Sequence, residues 1–183
     1  MTPQIRKPVE SDMSAILNII NEAFGGGHGR EIGGLVSALL VDPSAGPVIS
    51  LVAEVQGQVI GHILFSCARI GGVHRGVEAT ILAPLCVAPE HQRRGVGSAL
   101  IREGMSKSED AGCDLVFVLG HPGYYPKHGF VPAGVHGFEA PYPIPAQHAD
   151  AWMVHELREH SIGTIRGPVI CADSLMDPKY WRE

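Results

Sequence analysis

The stretch EATILAPLCVAPEHQRRGVGSALIREGM, from Glu78 to Met105, constrains the fold more than any other part of the chain. It reads as a strand ending at Val87, a basic loop holding Gly95 and Gly97, and a helix whose apolar stripe is Leu100, Ile101 and Met105. A strand that hands over to a helix through glycines makes an anion site. The first N–H groups of the helix have no carbonyl to bond, and the macrodipole leaves that end positive. Gly95 and Gly97 put no side chain in the way, and Arg93 and Arg94 add charge, so a pyrophosphate is the simplest occupant. A helix N-terminus with a solvated arginine pair is the plainer alternative. No GxxxxGK[ST] loop occurs, and the GxGxxG dinucleotide pattern fails at Leu100, which removes those two nucleotide sites from consideration. Pro84 has no amide donor, so a bulge or ladder break is expected between Ala83 and Leu85.

The rest of the chain reads as a single folded unit around this stretch. TPQIRKPV is a first strand, and a helix begun near Ser11 lines up Met13, Ile16, Leu17, Ile20 and Phe24. GGGHG breaks that pattern, and a second helix carries Ile32, Leu35, Val36, Leu39 and Leu40 on one side before Asp42-Pro43 stops it. VISLVAEV and VIGHILFSCARI form a hairpin across Gln56-Gly57-Gln58. DLVFVLG is a further strand, HPGYYPKHGF holds at most one short helix, and Trp152-Met153-Val154 begins one more strand in a proline-rich tail.

Composition narrows the function classes. With 45% hydrophobic and 18% charged residues the chain folds, and it has no apolar run of membrane length and no signal-peptide block in MTPQIRKPVESDM, so a cytoplasmic protein with no membrane partner is expected. A net charge of −5 argues against nucleic-acid binding. Cys67, Cys86, Cys113 and Cys171 lie far apart without a CxxC pair and are expected to be reduced and buried. HELREH resembles the HExxH zinc motif, but His155 and His160 are five apart instead of four, so no metal is expected.

LCVAPEHQRRGVGSALI resembles the acyl-CoA motif of the GNAT superfamily of N-acetyltransferases: Gln92-Arg93-Arg94-Gly95-Val96-Gly97 matches its Q/R-x-x-G-x-G/A. LGHPGYYPKHGFVPAG is similar to the closing Tyr-x-x-x-Gly-Phe segment of the YhbS-like branch. The resemblance implies an α+β fold, a mixed and mostly antiparallel central sheet flanked by helices and splayed between its fourth and fifth strands. It covers residues 1–140, with 141–183 as a C-terminal extension packed on the same domain. It also implies acetyl-CoA as co-substrate, with the backbone of Leu85, Cys86 and Val87 along the pantetheine arm. Gln92, Arg93, Arg94, Gly95, Val96, Gly97 and Ser98 would surround the diphosphate.

The implied reaction is attack of a primary amine on the thioester through a tetrahedral intermediate. By resemblance the Val87 amide is the oxyanion donor and Tyr125 protonates the leaving thiolate, while Gly129 and Phe130 are structural. Glu54, His62, Glu78, His121 and a water relay are the candidate bases. GGGHGRE is expected as a flexible loop gating the acceptor. Pro122 and Pro126 cut short the helix that carries a cofactor-binding Asn in the family, so no such contact is assigned. The acceptor is a small-molecule or peptide amine, for which the negative net charge favours a cation by steering. A non-catalytic acyl-CoA-binding module and a transferase of longer acyl groups are the alternatives, and both a monomer and a homodimer are compatible with the sequence.

Overall fold

The computed structural model describes residues 2–72, 76–159 and 161–182. After β1 (Gln4–Arg6) come α1 (Met13–Phe24) and α2 (Gly26–Leu39), then β2 (Ile49–Val55), β3 (Gln58–Ile70) and β4 (Ala79–Val87). Then follow α3 (Val96–Asp110), β5 (Leu115–Leu119), β6 (Val131–Pro132), β7 (Phe138–Glu139), β8 (Trp152–Glu156) and β9 (Gly167–Cys171). The main sheet runs β1-β2-β3-β4-β5-β8-β6. Its neighbours are antiparallel except for the parallel β4–β5 pair, and β9 adds to the far end of β3 while pairing in parallel with β7.

The β2–β3 hairpin turns through Gln56 (φ 52°) and Gly57 (φ 79°), the two left-handed residues such a tight turn demands. Opposite Leu64 the β3–β4 ladder slips, Ile63 facing Leu85 and Phe65 facing Leu82, so Ala83 and Pro84 together face one residue in a bulge. The β4–β5 pairing runs only from Ala79↔Leu115 to Ile81↔Phe117. Beyond it the strands separate, and β4 continues to Val87 without a partner on that side.

Two apolar layers hold the sheet. Ile16, Ile20, Val36 and Leu39 from α1 and α2 pack on Val52, Leu64 and Ile81. Leu100 and Ile101 from α3 pack on Leu51, Ile63, Phe65 and Val116 on the other face. Gly104 lets α3 lie close to the sheet, because a Cβ there would run into the Phe65 ring.

The segment after 140 is woven into this core. β8 sits between β5 and β6, and Trp152 stacks on Phe117 with ring centroids 5.3 Å apart. Trp181 meets Trp152 edge-on at 5.7 Å and donates from Nε1 to the Leu175 carbonyl at 2.9 Å. Asp42 accepts from the Ser174 amide at 2.8 Å and its hydroxyl at 2.7 Å, and these bonds with those from Ser44 hold the Asp42 carboxyl well below the usual carboxylate range.

Three expectations need correction. GGGHGRE is not a loop: the break is confined to two consecutive positive-φ glycines, Gly25 (φ 75°) and Gly26 (φ 36°), and α2 already begins at Gly26, since glycine adopts such backbone at little cost. Leu40 lies past the end of α2 and is 38% exposed, off the buried stripe. All four cysteines are free, but only Cys86 and Cys171 are buried, and burial pushes each of those thiols up to about 12.

Candidate active site

The unpartnered end of β4 has two hollows along it. One, of about 450 Å³, is bounded by Ile81 to Leu85 of β4, by Phe24, His28, Ile32 and Leu35 of the first two helices, by Leu119 to His121, and by Leu175 and Lys179 to Arg182. The other, of about 630 Å³, is bounded by Leu85 to Val87, by the His91 to Ser98 loop and by Lys127. Leu85 and Tyr124 line both, so these two side chains form the partition between them.

The loop hollow is built for an anion. Gly95 (φ 83°) is the N-cap of α3 and Arg93 (φ 58°) is also left-handed, which turns the chain sharply from β4 into the helix. The first intrahelical bond is Ala99 N–H to the Gly95 carbonyl at 3.0 Å, so the amides of Val96, Gly97 and Ser98 precede the helical ladder. A Cβ on Gly97 would sit 2.5 Å from the Tyr124 hydroxyl, which is hydrogen-bonded with the Ser98 side chain. Arg93 and Arg94 are exposed. Gln92 lines this hollow and also braces the strand, its Nε2 donating to the Val87 carbonyl at 3.1 Å.

Backbone direction along β4 follows from the ladder. Ala88 N–H donates to the Ile60 carbonyl at 2.9 Å, and hydrogen-bonding direction alternates residue by residue in an antiparallel strand. Cys86, opposite His62, therefore turns its amide and carbonyl toward β3, whereas Leu85 and Val87 turn theirs toward the open side. Of the three residues whose backbone was expected along a ligand, Cys86 is the one the ladder turns inward.

Tyr125 begins a short 3-10 turn, Tyr125–His128, that ends at Gly129 (φ 84°). Its ring is buried edge-on against Phe130 and Tyr124, lies beside Gly120, and lines the smaller hollow. Tyr124 is half-buried, with Lys127 Nζ 3.9 Å from its ring centroid. Desolvation raises the Tyr124 phenol, partly offset by its bond with Ser98.

The candidate bases separate clearly. Glu54 is ion-paired with Arg6 at 2.6 Å on the β1–β2 side, and Glu78 lies exposed before the start of β4, at the opposite end from the hollows. His121 lines the smaller hollow, but its Nδ1 accepts the Gly123 amide at 3.0 Å, which puts the ring proton on Nε2 and leaves no lone pair for a base. His62 is fully buried, with Nε2 2.9 Å from Ser50 Oγ and no partner for Nδ1. Among the described residues no cluster of His, Cys, Asp or Glu is placed to hold a metal, and His160 of HELREH lies outside them. No helix among them is long and apolar enough to cross a membrane.

Burial alone lowers the His62 pKa to about 4. The ordinary value is 6.5, so between pH 6.5 and 4 the unfolded chain binds a proton that the folded chain refuses, and stability falls with falling pH. The full effect is about 3 kcal/mol, complete below pH 4 and absent above 6.5. Urea unfolding of the parent and of His62→Gln across this range should show a slope that the variant lacks; parallel curves would refute the assignment.

One group of lining residues, the C-terminal Leu175 and Lys179 to Arg182, went unmarked in the sequence reading. No periodic or motif signal marks them, because Trp181 reaches the hollow only through its packing on Trp152.

An open sheet whose one central parallel pair diverges past a bulge, next to a glycine-capped helix start, is the architecture of an acyl-CoA-dependent transferase. Residues 47–132 match the acetyltransferase (GNAT) domain family. The uncharacterized N-acetyltransferase YjhQ of Escherichia coli K12 is 46% identical over 165 residues, which cover 90% of this chain and 89% of YjhQ. The crystal structure of the Escherichia coli GNAT protein YhbS in complex with CoA superposes with a TM-score of 0.84 at 25% identity, over 97% of this chain and 93% of that one. A GNAT acetyltransferase from Brucella melitensis in complex with acetyl-CoA gives 0.73 at 30% identity, over 94% and 97%. This chain belongs to the GNAT family of N-acetyltransferases.

Proposed function

We propose that the chain transfers an acetyl group from acetyl-CoA to a primary amine by direct attack, working in the cytoplasm as one domain to whose sheet and acceptor side the extension 141–183 contributes. The observation that carries this is the pair of hollows meeting at Leu85 and Tyr124, on the stretch of β4 that has no partner on its β5 side. The loop hollow fits a diphosphate through the amides of Arg94 to Ser98, and the open backbone of Leu85 and Val87 fits the amide-bearing pantetheine arm. The smaller hollow then takes the acceptor.

Acetyl-CoA supplies an activated thioester. The Val87 amide, directed to the open side, donates to the developing oxyanion, and Tyr125 supplies the proton for the thiolate. The amine loses its proton through water, since Glu54 and Glu78 lie elsewhere, His121 has no free lone pair and His62 is fully buried within β3.

Calorimetry with acetyl-CoA, followed by CoA-release assays on a panel of amines, tests this reading. Expected are one binding event per chain and release that depends on an amine. No heat on titration overturns it. Binding without turnover on any amine favours the non-catalytic module, and faster turnover of longer acyl-CoA favours the broader transferase.

A further inference from the structure

We propose that the acceptor is a small amine with an apolar body and an anionic group, a carboxylate or a phosphate, near its nitrogen, held by His28, Lys179 and Arg182. This rests on reading the smaller hollow as the acceptor side. Its walls are apolar, with Phe24, Ile32, Leu35 and Trp181 among them, and its charged lining, Lys179 and Arg182, is of one sign. His28, His121, Lys179 and Arg182 all border it, while no Asp or Glu does among the described residues. Two of these groups have acidic neighbours outside the hollow: Glu31 is 3.7 Å from His28 and Asp177 is 3.0 Å from Lys179. Both pairs are solvent-exposed, so neither holds its basic side chain firmly. Arg182 has no carboxylate within ion-pair distance among the described residues, although it lies near enough to Asp177 to help lower that carboxyl.

A polyamine or aminoglycoside would bring several ammonium groups into a space without carboxylates, exchanging their hydration for repulsion. An amine carrying its own anion meets the opposite situation. The anion binds the basic rim, and the apolar body fills the interior. The same positive surroundings disfavour the ammonium form of the acceptor nitrogen. That matters because an ordinary alkyl amine is neutral at pH 7 in only about one molecule in a few thousand. A basic chamber thus lightens the deprotonation for which no side-chain base is placed. Net charge pointed the other way, toward a cation, but steering acts over the whole surface and selection acts in the pocket.

Binding to the CoA-loaded protein tests the inference without requiring turnover. By calorimetry, N-acetylphenylalanine should bind about tenfold more tightly than the neutral N-acetylphenethylamine, the factor one charge-assisted contact supplies. N-acetylphosphoethanolamine, compared with N-acetylethanolamine, asks the same of a phosphate. The double variant Lys179→Ala/Arg182→Ala, both sites exposed, should bring each pair to within about twofold. Equal affinities in the parent, a preference that survives the double variant, or tightest binding by the cationic N-acetylputrescine would each overturn it. An anion preference lost in the double variant, together with failure of every amine to turn over, would sustain this site and sink the transferase reading.

Discussion

Gly97→Asp is expected to raise the Kd for acetyl-CoA by about 100-fold or more while moving the melting temperature by no more than about 3 °C. The two halves of that expectation have different causes. Gly97 is the second residue of α3, after the Gly95 cap, where an acidic side chain complements the helix dipole by about 0.3–1 kcal/mol. The fold therefore gains slightly, or loses slightly if the Tyr124 hydroxyl, 2.5 Å from the new Cβ position, has to swing aside. Binding has no such compensation. The new carboxylate takes the amides that a diphosphate would use and opposes its charge, forfeiting charge-assisted bonds worth about 1.5–3 kcal/mol each. Gly97→Ala makes the same steric demand without the charge, and should weaken binding by about tenfold or less. Calorimetry and thermal melts on both variants decide the matter. An Asp variant that binds acetyl-CoA as tightly as the parent would remove the anion site from the account, and so would an Ala variant equally damaged.

The parts of the molecule legible in sequence are those where a residue's local chemistry dictates its conformation. Pro84 cannot donate to a ladder, and the bulge falls at Ala83-Pro84. Gln56-Gly57 turns a hairpin, and Gly95 caps α3, because left-handed backbone is cheap there. The illegible parts depend on partners far away in the chain. Gly25 to Gly29 read as a breaker, yet Gly29 lies so close to Asn21 that a Cβ there would collide with the α1 backbone; that glycine serves helix contact. The insertion of β8 between β5 and β6 comes from Trp152 stacking on Phe117, a pairing that no local pattern announces. The C-terminal residues that border the smaller hollow were hidden for the same reason. Cys86 shows a subtler limit: the motif brings three adjacent residues to the ligand side, while the alternation of the ladder lets only the first and third open outward.

Tyr125→Phe is expected to lower kcat by about 100-fold, within the range that loss of a general acid produces, and to leave the Kd for acetyl-CoA unchanged. The phenol is asked to donate to a departing thiolate. With ordinary values near 10 for a phenol and 8.5 for a thiol, complete transfer is uphill by about 2 kcal/mol, small enough for a hydrogen bond that tightens as the C–S bond breaks. Removing one oxygen leaves the ring in place against Phe130 and Gly120, so packing and cofactor affinity are preserved. Tyr124→Phe is the necessary comparison, because Tyr124 also lines both hollows and its hydroxyl is bonded with Ser98. Desolvation raises the Tyr124 phenol and makes it a weaker donor than a free one, so its loss should act on the KM for acetyl-CoA through the helix start and spare kcat. The kinetic split assigns the roles. If Tyr124→Phe abolishes turnover and Tyr125→Phe leaves it intact, the acid is the partition residue and the buried ring of Tyr125 is only its support.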